Sequence, residues 1–417
     1  MPRQRIRSHH AGMLSRDPAM LDSGLAGSLP SLKSPSTQLP IRLEKARPLA
    51  QQQQQQRRRR PAPAPPMTTL LCLGLALALG PYVAGAACYK GYESAFSFDA
   101  DQTRHAAWMK HLPDAANLTS LSIPGTHDTM TYGIRRADLQ CQNWDLGVQL
   151  RAGLRYVDIR ARMLRDELHV FHADQPTGHS LADVLLILFA FLDRHPSEAV
   201  VMRLKKEGGP VGRNRRSFQQ GFDYVRLASP ATRAGAAKHL YLYDGGDGDG
   251  ASGAPIPTLG ELRSKVFLLQ DWSDRARRRT YGLRWDGPQM VLEDQWKVPD
   301  MGHLHRKWEA VEAALGRANA DALDNRHLYL AHVSASVGVL PIEAAAGGRT
   351  VAARPEGLND MTGRWVEGRW RGGLRTGIVI FDFPGKRAIE GVLRWNHHLE
   401  GYIGAGEGEV AWDAERL

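Results

Sequence analysis

Short apolar or β-branched runs recur along this chain with longer helix-like segments between them, and that alternation limits the fold more than any other feature. The runs are Leu121-Ser-Ile123, Tyr156-Val-Asp-Ile159, His169-Val-Phe171, Ala199 to Leu204, Val266 to Leu269, Met290 to Leu292, Leu328 to Ala331 and Gly377 to Phe381. Helical segments are clearest at Leu181 to Arg194, Arg215 to Leu227 and His303 to Ala322. Strands that alternate with helices pair in parallel, because each helix carries the chain back along the sheet. With about eight strands in about 300 residues, a TIM-type (β/α) barrel, with room for distortion, is expected over an open doubly wound sheet. A single domain over residues 88–417 is expected.

Charge excludes one class of function. The chain has a formal net charge of +10, yet residues 1 to 66 hold 12 of the 54 Lys and Arg and 3 of the 44 Asp and Glu, leaving 42 against 41. A nearly neutral remainder has no pervasive basic surface, so nucleic acid is not an expected partner. No G-x-G-x-x-G opens a helix after a strand and no P-loop string occurs, so nucleotide folds lack their fingerprint. Asp244-Gly-Gly-Asp-Gly-Asp-Gly250 has no Glu at EF-hand spacing and reads as a surface loop.

The front end divides in two. Residues 1–66 run through Gln51 to Gln56, Arg57 to Arg60 and Pro61 to Pro66, a low-complexity basic extension in which no core can form. Residues 67–87 have the layout of a secretory signal: Leu70 to Leu79, the breaker Gly80-Pro81, and small residues near Ala86 and Ala87. Export is the expectation, and a membrane anchor over residues 70–87 is the alternative. Beyond the signal the chain keeps Cys88 and Cys141, which could pair or stay reduced.

Five strings carry candidate chemistry. Ser122-Ile-Pro-Gly-Thr-His-Asp-Thr129 puts His127 and Asp128 after the first strand, at the end where barrel enzymes assemble their sites. Asp158 and Arg160 are two apart and share one face of their strand; an Arg beside carboxylates suits phosphate. His172 closes the next run, with His169 on the opposite face. Lys205 and Glu207 share a face, and Asp382 ends the last strand. Taken singly, each has a plain structural explanation: a hydrogen-bonded histidine, a solvated charge run, a turn cap.

Together these strings resemble the X domain of phosphatidylinositol-specific phospholipase C, in the metal-independent form of bacteria and secreted fungal relatives. The resemblance spans roughly residues 108 to 400 and rests on I-P-G-T-H-D, D-I-R-x-R, the second His, L-K-K-E and the late strand ending D-F. It implies that His127 is the general base, oriented by Asp382, and that His172 is the general acid, supported by Asp128. It implies that Arg160 neutralises the phosphate. Calcium-dependent relatives place a metal ligand where Arg160 stands, so no metal and no cofactor is expected. Asp158, Lys205 and Glu207 would line the pocket, Asp294 would bind polyol hydroxyls, and Trp296 would stack on the ring. One position departs: bacterial members carry an inositol-binding Arg where this chain has Asp271, which cannot supply an Arg's donors.

The expected reaction is cleavage of a phosphatidylinositol-type phospholipid at a membrane surface to diacylglycerol and a cyclic inositol phosphate, by a monomer. Two alternatives stand beside it: a phosphodiesterase acting on another lipid headgroup, and a non-catalytic lipid- or glycan-binding module. Arg275-Ala-Arg-Arg-Arg279 reads as an exposed loop or an anionic-surface patch. The segment Arg364 to Trp370 reads as packing or as a lipid interface.

Overall fold

The computed structural model describes residues 86–243, 255–273, 280–349 and 355–400. The basic extension, residues 67–85 of the signal-like stretch, the Asp244 to Gly250 string and the Arg275 to Arg279 run lie outside the described residues.

Strands are β1 (Ala87–Tyr89), β2 (Tyr92–Ser94), β3 (Ile123–Thr126), β4 (Tyr156–Leu164), β5 (Glu167–His172), β6 (Gln175–Ser180), β7 (Ala199–Lys206), β8 (Leu240–Tyr241), β9 (Lys265–Asp271), β10 (Leu283–Arg284), β11 (Met290–Glu293), β12 (Leu328–Val333) and β13 (Ile378–Phe381). The main path runs β10-β9-β7-β4-β3-β13-β12-β11, every pairing parallel. Read around a ring, that is chain order, the order of a (β/α) barrel. No ladder joins β10 to β11 among the described residues, so the sheet is a curled barrel with one open seam.

One expected barrel strand is something else. The run around His169 forms β5, which pairs antiparallel with the far part of β4 and with β6, and so is a hairpin standing beyond the barrel rather than a stave of it. The eighth stave is β10, whose two residues are too few to show a period. The first stave also lies later than expected, because Ile123–Thr126 takes the Pro-Gly pair into the sheet. Gly125 is required there: a Cβ would lie 2.5 Å from Tyr156 Cβ on β4.

Alternation divides the side chains. On β4, Val157, Ile159 and Ala161 face outward and pack with Val200, Met202, Leu204, Val266 and Leu268 beneath the helix Leu181–Arg194. That helix buries Leu181, Val184, Leu185, Leu188 and Leu192, spaced three and four apart. It starts at a capping box in which Ser180 and Asp183 serve each other's backbone N–H, a device that contributes about 1 kcal/mol. The interior is filled from below by Ile123, Tyr156, Val201, Phe267, Leu269, Leu330, Ile378 and Ile380. A filled floor is what makes the carboxyl ends of the strands, above it, the place for a site.

The Trp-rich segment lies in the helix Leu358–Arg369, where Trp365 is buried and stacks on Trp395 with centroids 5.4 Å apart, so Trp365 is packing rather than interface. Cys88 is exposed and Cys141 is fully buried, with no disulfide joining them. No helix among the described residues is long and apolar enough to cross a membrane.

Candidate active site

His127 and Asp128 leave the end of β3 together, and the backbone places them by turning sharply: Asp128 has φ +41°, a left-handed conformation that Asp tolerates better than most residues. His127 Nδ1 lies 2.9 Å from Asp382 Oδ1, which the end of β13 presents from the neighbouring stave. Its Nε2 lies 3.2 Å from Asp128 Oδ2. His172, at the end of β5, brings its own Nε2 to 3.1 Å from that same oxygen, while its Nδ1–H donates to the Leu139 carbonyl at 2.8 Å. Two imidazoles from different parts of the fold therefore meet over one carboxylate.

The second oxygen of Asp128 forms an ion pair with Arg160, whose Nε is 3.0 Å away and donates its hydrogen bond to Asp158 Oδ2. Arg160 also bonds Asp158 Oδ2, through Nη2 at 2.9 Å. Glu207 is 4.0 Å from Arg160 Nη1 and 3.1 Å from Lys205 Nζ. The parallel register explains the grouping, because Arg160 on β4 sits opposite Lys205 on β7. All of Asp128, Asp158, Arg160, His127, His172 and Asp382 are thus brought together, with Lys205 and Glu207 on the adjacent wall.

Burial and charge set the protonation. Burial, helped by the Arg160 guanidinium, holds His127 well below its ordinary 6.5, so its imidazole is neutral at neutral pH. Burial and then Asp128 push the Asp382 carboxyl well up. Asp128 is raised by burial against the opposing pull of Arg160. Burial acts on Asp158 in the same sense, but Arg160 and Arg203 outweigh it and keep this carboxylate ionised far below the usual range. Arg160 itself loses to burial less than it gains from Asp128, Asp158 and Glu207, which hold it charged.

Asp294 and Trp296 lie just past β11, about a third and 41% exposed, with Asp294 Oδ1 3.9 Å from His332 Nδ1 and Lys297 Nζ over the Trp296 ring. They form the rim rather than the catalytic cluster. Sets of His127, Cys141 and Asp382, or of Asp128, Cys141 and His172, place ligand-type atoms within 4.8 Å of one another and could hold a metal ion. The cationic place beside Asp128 and Asp158 is already taken by Arg160.

Three residues of the cluster were not anticipated. Arg203 shares the inward face of β7 with Lys205 and reaches Asp271 with Nη2 at 2.6 Å; the period of two would have found it. His332 is fully buried, its ring centroid 6.3 Å from that of His127, and its Nδ1–H donates to the Glu293 carbonyl. It lies one residue past the strand end read from sequence. Cys141 sits under the histidines, its thiol pushed up by burial, Asp382 and Asp128. No sequence signal distinguished it.

No family model matches the chain. A 1-phosphatidylinositol phosphodiesterase of Listeria monocytogenes is 32% identical over 301 residues, which cover 69% of this chain and 84% of that protein. A protein of the same name from Staphylococcus aureus is 23% identical over 316 residues, 70% of this chain and 93% of the other. Among solved structures, a phosphatidylinositol-specific phospholipase C from Listeria monocytogenes matches with a TM-score of 0.53 at 27% identity, covering 70% of this chain and 99% of that one. One from S. aureus matches with a TM-score of 0.54 at 20% identity over 71% and 99%, a likeness of fold.

Proposed function

We propose, from the premise that this chain belongs to the family of bacterial phosphatidylinositol-specific phospholipases C, that it cleaves phosphatidylinositol-type lipid into diacylglycerol and a cyclic inositol phosphate. The observation that carries the reading is the meeting of His127 and His172 over Asp128, with Arg160 on the same carboxylate.

The tautomers suit the two proton transfers. His127 spends its Nδ1–H on Asp382, which leaves the Nε2 lone pair to take the proton of the ring hydroxyl next to the phosphate. That oxygen attacks phosphorus. His172 spends its Nδ1–H on the Leu139 carbonyl, so a proton on its Nε2, held against Asp128, is the one delivered to the departing glycerol oxygen. Charge grows on the phosphoryl oxygens as the new bond forms, and Arg160, fixed by Asp128 and Asp158, is already in place to meet it. The guanidinium does the work a divalent cation would otherwise do, which is the metal-independent form of this chemistry. The internal attack makes the first step a transfer to the substrate's own hydroxyl, with water opening the ring afterwards.

Asp158, Lys205 and Glu207 are assigned to the pocket wall, Asp294 to hydroxyl contacts and Trp296 to the ring face at the rim. The substrate is met at a membrane surface, and the signal-like residues 67–87 fit export. Purified protein given phosphatidylinositol in excess chelator is expected to release diacylglycerol and a cyclic inositol phosphate. Loss of activity in chelator overturns the Arg160 assignment, and release of a different headgroup favours the alternative substrate class.

A further inference from the structure

On the wall beside the histidines, parallel register fixes a row of three inward residues: Arg160 on β4 faces Lys205 on β7, which faces Asp271 on β9. Neighbouring strands are about 4.8 Å apart, so the row spans about 10 Å along the wall, the length of a phosphate with a six-membered ring attached. Behind the row lies Arg203, almost fully buried. Its guanidinium lies flat on Trp285, Cζ 3.7 Å from the ring centroid. It gives both Nε, at 3.0 Å, and Nη2, at 2.6 Å, to a single oxygen of Asp271, Oδ2.

That arrangement leaves Asp271 in an unusual state for an ion-paired carboxylate. Its side chain is 27% exposed, one oxygen is clamped from behind by a buried guanidinium, and Oδ1 has no hydrogen-bond partner among the described residues. Arg203 does not need Asp271 alone for neutrality, because Asp158 Oδ1 lies 3.7 Å from its Nη1. A carboxylate oxygen held in the pocket wall by a buried guanidinium accepts hydrogen bonds, so it selects a group that donates them.

We propose that Asp271 is a specificity-determining acceptor for headgroup hydroxyls and that Arg203 is its positioning residue. With the phosphate on Arg160, the far side of the attached ring reaches Asp271, and a polyol ring donates to Oδ1. With the cation of Arg203 buried behind Asp271, the surface this wall leaves to the ligand is an acceptor. This inference rests on the lipid reading above and concerns what the site selects rather than whether it reacts.

The test compares two phosphodiesters with the same aryl leaving group, one carrying myo-inositol and the other a 2-hydroxypropyl group, which keeps the internal nucleophile and lacks the ring. The measured quantity is the ratio of kcat/KM for the two. Asp271→Asn is expected to lower it by about 10- to 100-fold, mainly through KM on the inositol substrate. Arg203→Met is expected to follow it, and Arg203→Lys to recover part of the ratio. Equal losses on both substrates, or an unchanged ratio, overturn the proposal. Should the wild-type protein cleave neither compound, the lipid reading fails first. Calorimetric titration with myo-inositol 1-phosphate then decides the subsite, with weaker binding to Asp271→Asn expected and equal binding overturning it.

Discussion

A proton-transfer pair needs two groups of one kind in two different states, and here the difference is made by what each imidazole leans on. His127 is backed by a carboxylate and depressed by burial and Arg160, so it stays neutral below pH 6.5. The acidic limb of kcat/KM is therefore expected below 6.5. Because Arg160 lowers His127, Arg160→Met should carry that limb upward while reducing the rate; a pH–rate profile reads both, and a downward move contradicts the assignment. His127→Ala and His172→Ala should each lower kcat by about 10²- to 10⁴-fold with the fold intact by circular dichroism, and full turnover in either removes its role. These residues were legible because each sits at a motif with its own neighbours. Arg203 was legible too, two residues from Lys205 on the same face, but His332 was not, since its strand looks from sequence like an apolar stave, and a polar residue at its end means something only once its face is known.

At the scale of elements, the staves read well and the hairpin did not. β5 has the β-branched, apolar character of a stave, and nothing local says that β4 runs on past the barrel to nine residues and pairs with it antiparallel. The consequence is that His127 rides on the barrel and His172 on an arm attached to it. At the opposite end of β4, Arg155 is fully buried, paired with Glu198 at 2.7 Å, and bonded to the carbonyls of Leu150, Leu154, His105 and Ala106. It ties three segments together at the end of the barrel away from the chemistry. Glu198→Ala strands that guanidinium and should cost about 3–5 kcal/mol, read as a lowered denaturation midpoint with little change in KM. A shift within about 0.5 kcal/mol would show that the carbonyls alone satisfy Arg155.

For the whole molecule, the charge that dominates the composition lies almost wholly in residues 1–66, and the rest is balanced at 42 against 41. Vesicle binding by the chain from residue 88 onward is expected to change little between about 0.05 and 0.5 M salt, whereas the full chain should weaken steeply on anionic vesicles. Matching salt slopes would contradict this. The seam between β10 and β11 has a different consequence. A closed ring must break somewhere in its middle to come apart, but this one resembles a cut bracelet, with seven ladders in series and, among the described residues, an unpaired edge at each end. Peeling can begin at β10 and β11 and travel inward from both sides toward β3 and β4. The last ladder to part is then the one that holds His127 beside Asp158, so amide exchange should slow progressively from the seam to the catalytic side of the ring.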